Sequence, residues 1–146
     1  MDKLEYIPGD IVKIEYGEAT GKIGFVTNTF LRRKGCYRLV VFIGKGFQGS
    51  SKDDWIQTYN DEVSPIPLTT EILEKNGWEF VGGQVDEDGF TWDIYSNRGV
   101  LPDLYYYPDG KFSVFMYRKE VLPDIKYIHQ LQHFLYCLGL NSEMEV

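Results

Sequence analysis

The sequence predicts a mostly β, α+β protein, and three observations carry that prediction. Aromatic residues make up 16% of the 146 residues, and large rings favour strands and fill a core from few positions. Fifteen Gly and six Pro punctuate the chain as often as many short strands require. Helical spacing of apolar residues is confined to two stretches, 70–76 and 125–139. The length suits one domain or two very small ones. Ser64-Pro65-Ile66-Pro67 forces an extended chain and marks the boundary between parts 1–64 and 65–146.

Gly9-Asp10 opens the first strand, which continues through Ile11, Val12 and Ile14 to a turn at Gly17. A long second strand runs from Gly21 through Phe25 and Val26 to Leu31, and Arg32-Arg33-Lys34-Gly35 is a charged turn. Cys36 to Ile43 is the most β-branched and aromatic run of the chain. Gly44 to Ser51 reads as a glycine-rich loop, and Trp55–Tyr59 and Asp61–Val63 are two further short strands. Five short strands in this space describe an SH3-like β-barrel, whose closure removes open edges. The pattern Gly9-Asp10-x-Val12, Gly17, Gly21-x-x-Gly24-x-Val26 resembles the KOW motif of ribosomal and transcription-elongation proteins. It requires either a positive φ or close backbone approach at Gly21 and Gly24. That resemblance implies loops that touch RNA or protein.

In the second part Thr69 or Thr70 caps a short helix that Gly77 ends. Trp78–Val81 begins a strand, with turns expected at Gly82-Gly83-Gln84 and at Asp86-Glu87-Asp88-Gly89. Phe90–Tyr95 alternates, with Phe90, Trp92 and Ile94 on one face. Asn97-Arg98-Gly99 turns, and Pro108-Asp109-Gly110 joins two aromatic strands into a hairpin. Val121-Leu122-Pro123 is expected to break extension before a final helix over Ile125–Gly139. Three or four antiparallel strands between two helices result. In the final helix Tyr127, Ile128, Leu131, Phe134, Leu135 and Leu138 share one arc. His129, His133 and Tyr136 fall on another, which predicts two exposed histidines.

Charge and chemistry narrow the function. Residues 1–65 carry nine basic and nine acidic side chains, whereas 66–146 carry six basic and thirteen acidic, so the whole net charge of −7 lies in the second part. Only the first part offers a phosphate backbone a welcoming face, through Lys22, Arg32, Arg33 and Lys34. Tyr16, Phe30, Tyr37, Phe47, Trp55 and Tyr59 are candidates for an aromatic peptide-binding groove. His129 and His133 have the i, i+4 spacing of a metal pair, but Gln130 stands where a metalloprotease carries its general base. Asp86-Glu87-Asp88 lacks calcium-loop spacing. Gly44-Lys45-Gly46 lacks the phosphate-loop pattern. Two cysteines are too few for a disulfide scaffold, and an apolar leader or membrane-length run is missing, so a cytoplasmic protein with reduced thiols is expected.

Pro65-Ile66-Pro67-Leu68-Thr69-Thr70-Glu71-Ile72-Leu73-Glu74-Lys75-Asn76-Gly77-Trp78, together with Lys126–His133 and Leu138-Gly139-Leu140, resembles a recurrent set of small proteins of gut Bacteroidales, their phages and mobile elements. The resemblance implies no enzymatic activity. It also implies that Tyr127, His129, Leu131 and Gln132 hold the last helix to the sheet, with His129 partly buried. The expected function is a non-enzymatic binding or adaptor protein with a protein partner, without cofactor or metal. Nucleic-acid binding through the barrel is the alternative, and a metal-dependent enzyme at His129/His133 a second one.

Overall fold

The computed structural model describes residues 6–44 and 52–146, with Leu101 described by its backbone alone. The predicted Gly44–Ser51 loop, with Phe47, falls almost wholly outside these residues. Among them are ten strands in two antiparallel five-stranded sheets and two α-helices, so the fold is mostly β. Among the described residues no helix is long and apolar enough to cross a membrane. The chain divides into two compact units, Met1–Ile66 with Leu131–Glu143, and Pro67–Gln130 with Met144–Val146.

In the first unit, β1 (Ile11–Ile14), β2 (Ile23–Arg33), β3 (Cys36–Phe42), β4 (Trp55–Tyr59) and β5 (Val63–Pro65) lie in the order β4-β3-β2-β1-β5. The end strands β4 and β5 are not paired with each other among the described residues, so the sheet is open, with β5 crossing back to pair with β1, where sequence predicts a closed barrel. One face buries Tyr6, Val12, Ile14, Ala19, Val26, Leu39, Val41 and Val63 as a core, with Tyr37 and Ile56 packed against it. Two glycines shape β2 differently. Gly21 has φ +88° in the turn before it, while Gly24 lies so close to β3 that a Cβ would meet the Phe42 carbonyl oxygen at 2.4 Å.

Residues 131–137 of the final helix, α2 (Ile128–Cys137), belong to this first unit. Gln132 is the hub. Its Oε1 accepts from the Ile11 N–H at 3.1 Å, and its Nε2 donates to the Gly9 and Ser142 carbonyls at 3.0 Å each. The helix stops where Gly139 takes φ +70° and the Leu140 N–H reaches the Leu135 carbonyl.

In the second unit, α1 (Thr70–Lys75) is capped by the Thr69 hydroxyl, which accepts from the Ile72 N–H. Then β6 (Glu79–Val85), β7 (Thr91–Asn97), β8 (Val100–Tyr106), β9 (Phe112–Met116) and β10 (Lys119–Ile125) form a meander in the order β10-β9-β8-β7-β6. There are thus five strands where three or four are expected. Gly82-Gly83 is not a turn but a bulged part of β6. Val121-Leu122-Pro123 does not end extension. It lies within β10, an edge strand, where proline's missing N–H breaks no ladder. Ile125 closes that strand, so α2 begins three residues later than its apolar spacing predicts.

Candidate binding surface

The sequence-predicted residues of the first sheet do not form one patch. Lys22 and the Arg33-Lys34 tip lie at opposite ends of the 11-residue β2, roughly 30 Å apart at strand rise. Arg32 donates from Nη1 to the Tyr59 hydroxyl at 2.7 Å and lies 5.7 Å from that ring's centroid. Of the aromatics, Phe30 and Tyr59 flank Arg38 in one cross-strand row, and Trp55 packs on Phe42 at 4.6 Å on the same face. Tyr37 lies on the opposite, core face. Tyr16 is exposed just beyond β1.

The histidines depart from the exposed placement. His129 is buried, where its place on the helical arc predicts exposure. His133 is half-buried, with Nε2 2.7 Å from Oδ2 of Asp10, itself buried and accepting at Oδ2 from the Ile7 N–H. This pair ties α2 to the start of β1 within the first unit. Among the described residues, no three His, Cys, Asp or Glu side chains gather where they could hold a metal ion.

A further surface lies on the second sheet. Strand register sorts its residues into two faces. Tyr95, Leu104 and Val114 form one row, and with Phe112 and Ile125 they make the buried side. Helix α1 is on that side, where Thr70 and Glu74 lie near the Tyr95 phenol. The opposite face carries Trp92 and Ile94 from β7, Tyr105 from β8, Ser113 and Phe115 from β9, and Tyr107 just beyond β8. Its rings order one another: Tyr105 stacks on Phe115 at 3.7 Å and 9°, and Trp92 lies 6.3 Å from Tyr105 at 15°. Phe90 extends the field, 6.4 Å from Trp92 and 5.9 Å from Tyr107. Phe90 is half exposed, and the other four rings are partly open to solvent. The Trp92 Nε1–H is buried with no acceptor among the described residues, which leaves a donor unsatisfied on this face.

Electrostatics give the field a sign. Burial pushes the Tyr107 phenol above its ordinary value, a hydrogen bond with Ser113 opposes that, and the Glu120 carboxylate, Tyr105 and the Asp109 carboxylate add to it. In cross-strand order, Glu79, Ser96, Asp103, Phe115 and Glu120 form one row along the edge of the field. Glu79, Asp103 and Glu120 have no ion pair among the described residues. At the other rim Lys111 is 4.0 Å from Asp124.

Sequence reasoning placed Phe90, Trp92 and Ile94 together but did not single out this surface. The available signal was the alternation 90/92/94, 105/107 and 113/115. The unbroken run Tyr105-Tyr106-Tyr107 hid it, because both faces of β8 are then aromatic. No protein-family model, curated protein or solved structure significantly matches the chain.

Proposed function

We propose that the protein is a non-enzymatic binding or adaptor protein that engages another protein through the aromatic face of its second sheet. The observation that carries this reading is the field of Phe90, Trp92, Tyr105, Tyr107 and Phe115, five rings in mutual contact on one face, with Phe90 half exposed and the other four partly open to solvent. Stiff, large rings give contact area at little entropic cost, and gathered apolar surface of this kind marks interaction sites. For the first sheet the finer reading is an SH3-like module. The strand order β5-β1-β2-β3-β4, with long β2 and β3, supports it. The unpaired thiols of Cys36 and Cys137 support a reducing, cytoplasmic setting. The likeness of 65–146 to the Bacteroidales set supports an association with phages or mobile elements.

Nucleic acid held by Lys22, Arg32, Arg33 and Lys34 has less support, because Lys22 is remote and Arg32 is engaged by Tyr59. Metal-dependent chemistry at His129 and His133 has less again, because His129 is buried and His133 faces Asp10.

The test is capture of partners from host cytoplasm, with and without nuclease. Three forms serve as bait: wild type, a Phe90→Ser/Tyr107→Ser variant, and a variant with Arg32, Arg33 and Lys34 replaced by Ala. The expected result is a protein retained through nuclease and through the loss of the basic tip, and lost with the ring variant. Material released by nuclease, or lost only with the basic tip, overturns the reading.

A further inference from the structure

The aromatic face has a geometry that selects its ligand, and the inference rests on reading that face as the docking surface. Its edge row places a carboxylate on every second strand: Glu79 on β6, Asp103 on β8 and Glu120 on β10. Neighbouring strands are about 4.8 Å apart, so successive carboxylates along the row are separated by about 9.6 Å. Ser96 and Phe115 stand between them. A polyproline II helix has three residues per turn at about 3.1 Å each, so every third side chain recurs after about 9.3 Å on one side. The two repeats match.

We propose that this face binds a basic peptide segment in polyproline II conformation, with Arg or Lys at every third position set against Glu79, Asp103 and Glu120. Its apolar ridge then lies over Phe115, Tyr105 and Ile94, in and next to the carboxylate row. Charge points the same way. The second part holds the whole net charge of −7, and the three carboxylates have no ion-pair partner among the described residues. An anionic ligand is repelled, and a neutral one leaves the carboxylates unused. Guanidinium groups also suit the rings themselves. The first sheet already seats Arg32 over Tyr59 and Arg38 over Phe30 at 5.7 and 5.2 Å.

The experiment uses the full chain and a synthetic peptide of three Arg-Pro-Pro repeats, with binding read by calorimetry and by tryptophan fluorescence. Controls are the same peptide with citrulline for arginine, a peptide with arginine at every second position, a single-stranded oligonucleotide and a neutral oligosaccharide. The variant Glu79→Gln/Glu120→Gln changes two exposed side chains and preserves the fold. The expected result is binding that weakens with salt, falls about tenfold in the variant, and falls likewise with citrulline or the altered spacing. No binding, binding unchanged in the Gln variant, or preference for oligonucleotide or oligosaccharide overturns the inference. A partner captured by wild type and lost with Phe90→Ser/Tyr107→Ser, but indifferent to Glu79→Gln/Glu120→Gln, overturns the basic ligand and leaves the docking face standing. A partner indifferent to both variants overturns both.

Discussion

Gly21 and Gly24 lie on either side of the start of β2 and are needed for different reasons. At Gly21 the cost of a side chain is conformational: φ is +88° and the surrounding space is open. Alanine there is expected to cost about 1 kcal/mol, the penalty for a left-handed backbone. At Gly24 the obstacle is contact. A Cβ would meet the Phe42 carbonyl at 2.4 Å and the Val41 and Ile43 side chains at 2.9 Å, so the β2–β3 ladder itself must move. Gly24→Ala is expected to cost about 3 kcal/mol, the upper range for overpacking. Urea unfolding of the two variants checks this, and equal midpoints would show that β3 yields freely. A second single-group prediction concerns Tyr107. Burial raises its phenol above the usual 10.0, so the folded protein holds this proton more tightly than the unfolded chain. That contribution to stability is complete below pH 10 and is lost as pH rises through the folded-state value. Absorbance titration of the phenolates should show a late-ionising component that Tyr107→Phe removes.

Two hairpins of the second sheet use the same turn with different residues. Arg98-Gly99 joins β7 to β8 with φ of 53° and 72°, and Tyr117-Arg118 joins β9 to β10 with φ of 51° and 64°. Two positive φ values define the turn that matches strand twist, and Asn-Gly is its preferred filling. Neither Tyr117 nor Arg118 is suited to it, so Tyr117→Asn/Arg118→Gly is expected to stabilise the protein by about 1 kcal/mol. A raised thermal midpoint checks this, and an unchanged one would mean that the exposed Tyr117 side chain makes a compensating contact. The same comparison explains what sequence could and could not disclose. Gly77, Asn97-Arg98-Gly99, Pro108-Asp109-Gly110 and Gly139 all mark real element ends, because each position needs a residue type that sequence displays. The Tyr117-Arg118 turn uses residues that signal nothing, so β10 went unseen and Pro123 looked like a breaker. The aromatic field was half legible. Alternation shows which rings share a face, but which face a helix covers is decided by tertiary packing. Helical spacing by itself does not disclose the burial of His129 and Gln132 for the same reason.

The proline-marked boundary separates residues 1–64 from 65–146, and the compact first unit also takes in Leu131–Glu143. The difference matters energetically. Gly9, Asp10 and Ile11 open β1, and three of their polar groups are satisfied by the distant helix: the Gly9 carbonyl and Ile11 N–H by Gln132, and the Asp10 carboxylate by His133. Asp10 and Gln132 are both buried, so removing the helix leaves polar groups without partners at β1, an interior strand of the first sheet. Each such loss costs about 1–3 kcal/mol, and the sum is comparable with the whole stability of a domain this small. A chain of residues 1–66 is therefore expected to lack a cooperative unfolding transition. A synthetic peptide covering residues 128–143 should restore it, and the same peptide with Gln132→Ala should not. Heteronuclear NMR of the labelled fragment, titrated with each peptide, decides the matter. Dispersed amide resonances in the fragment alone would show that β1 is held by its own sheet, and that the helix is an accessory to the first unit instead of part of its core.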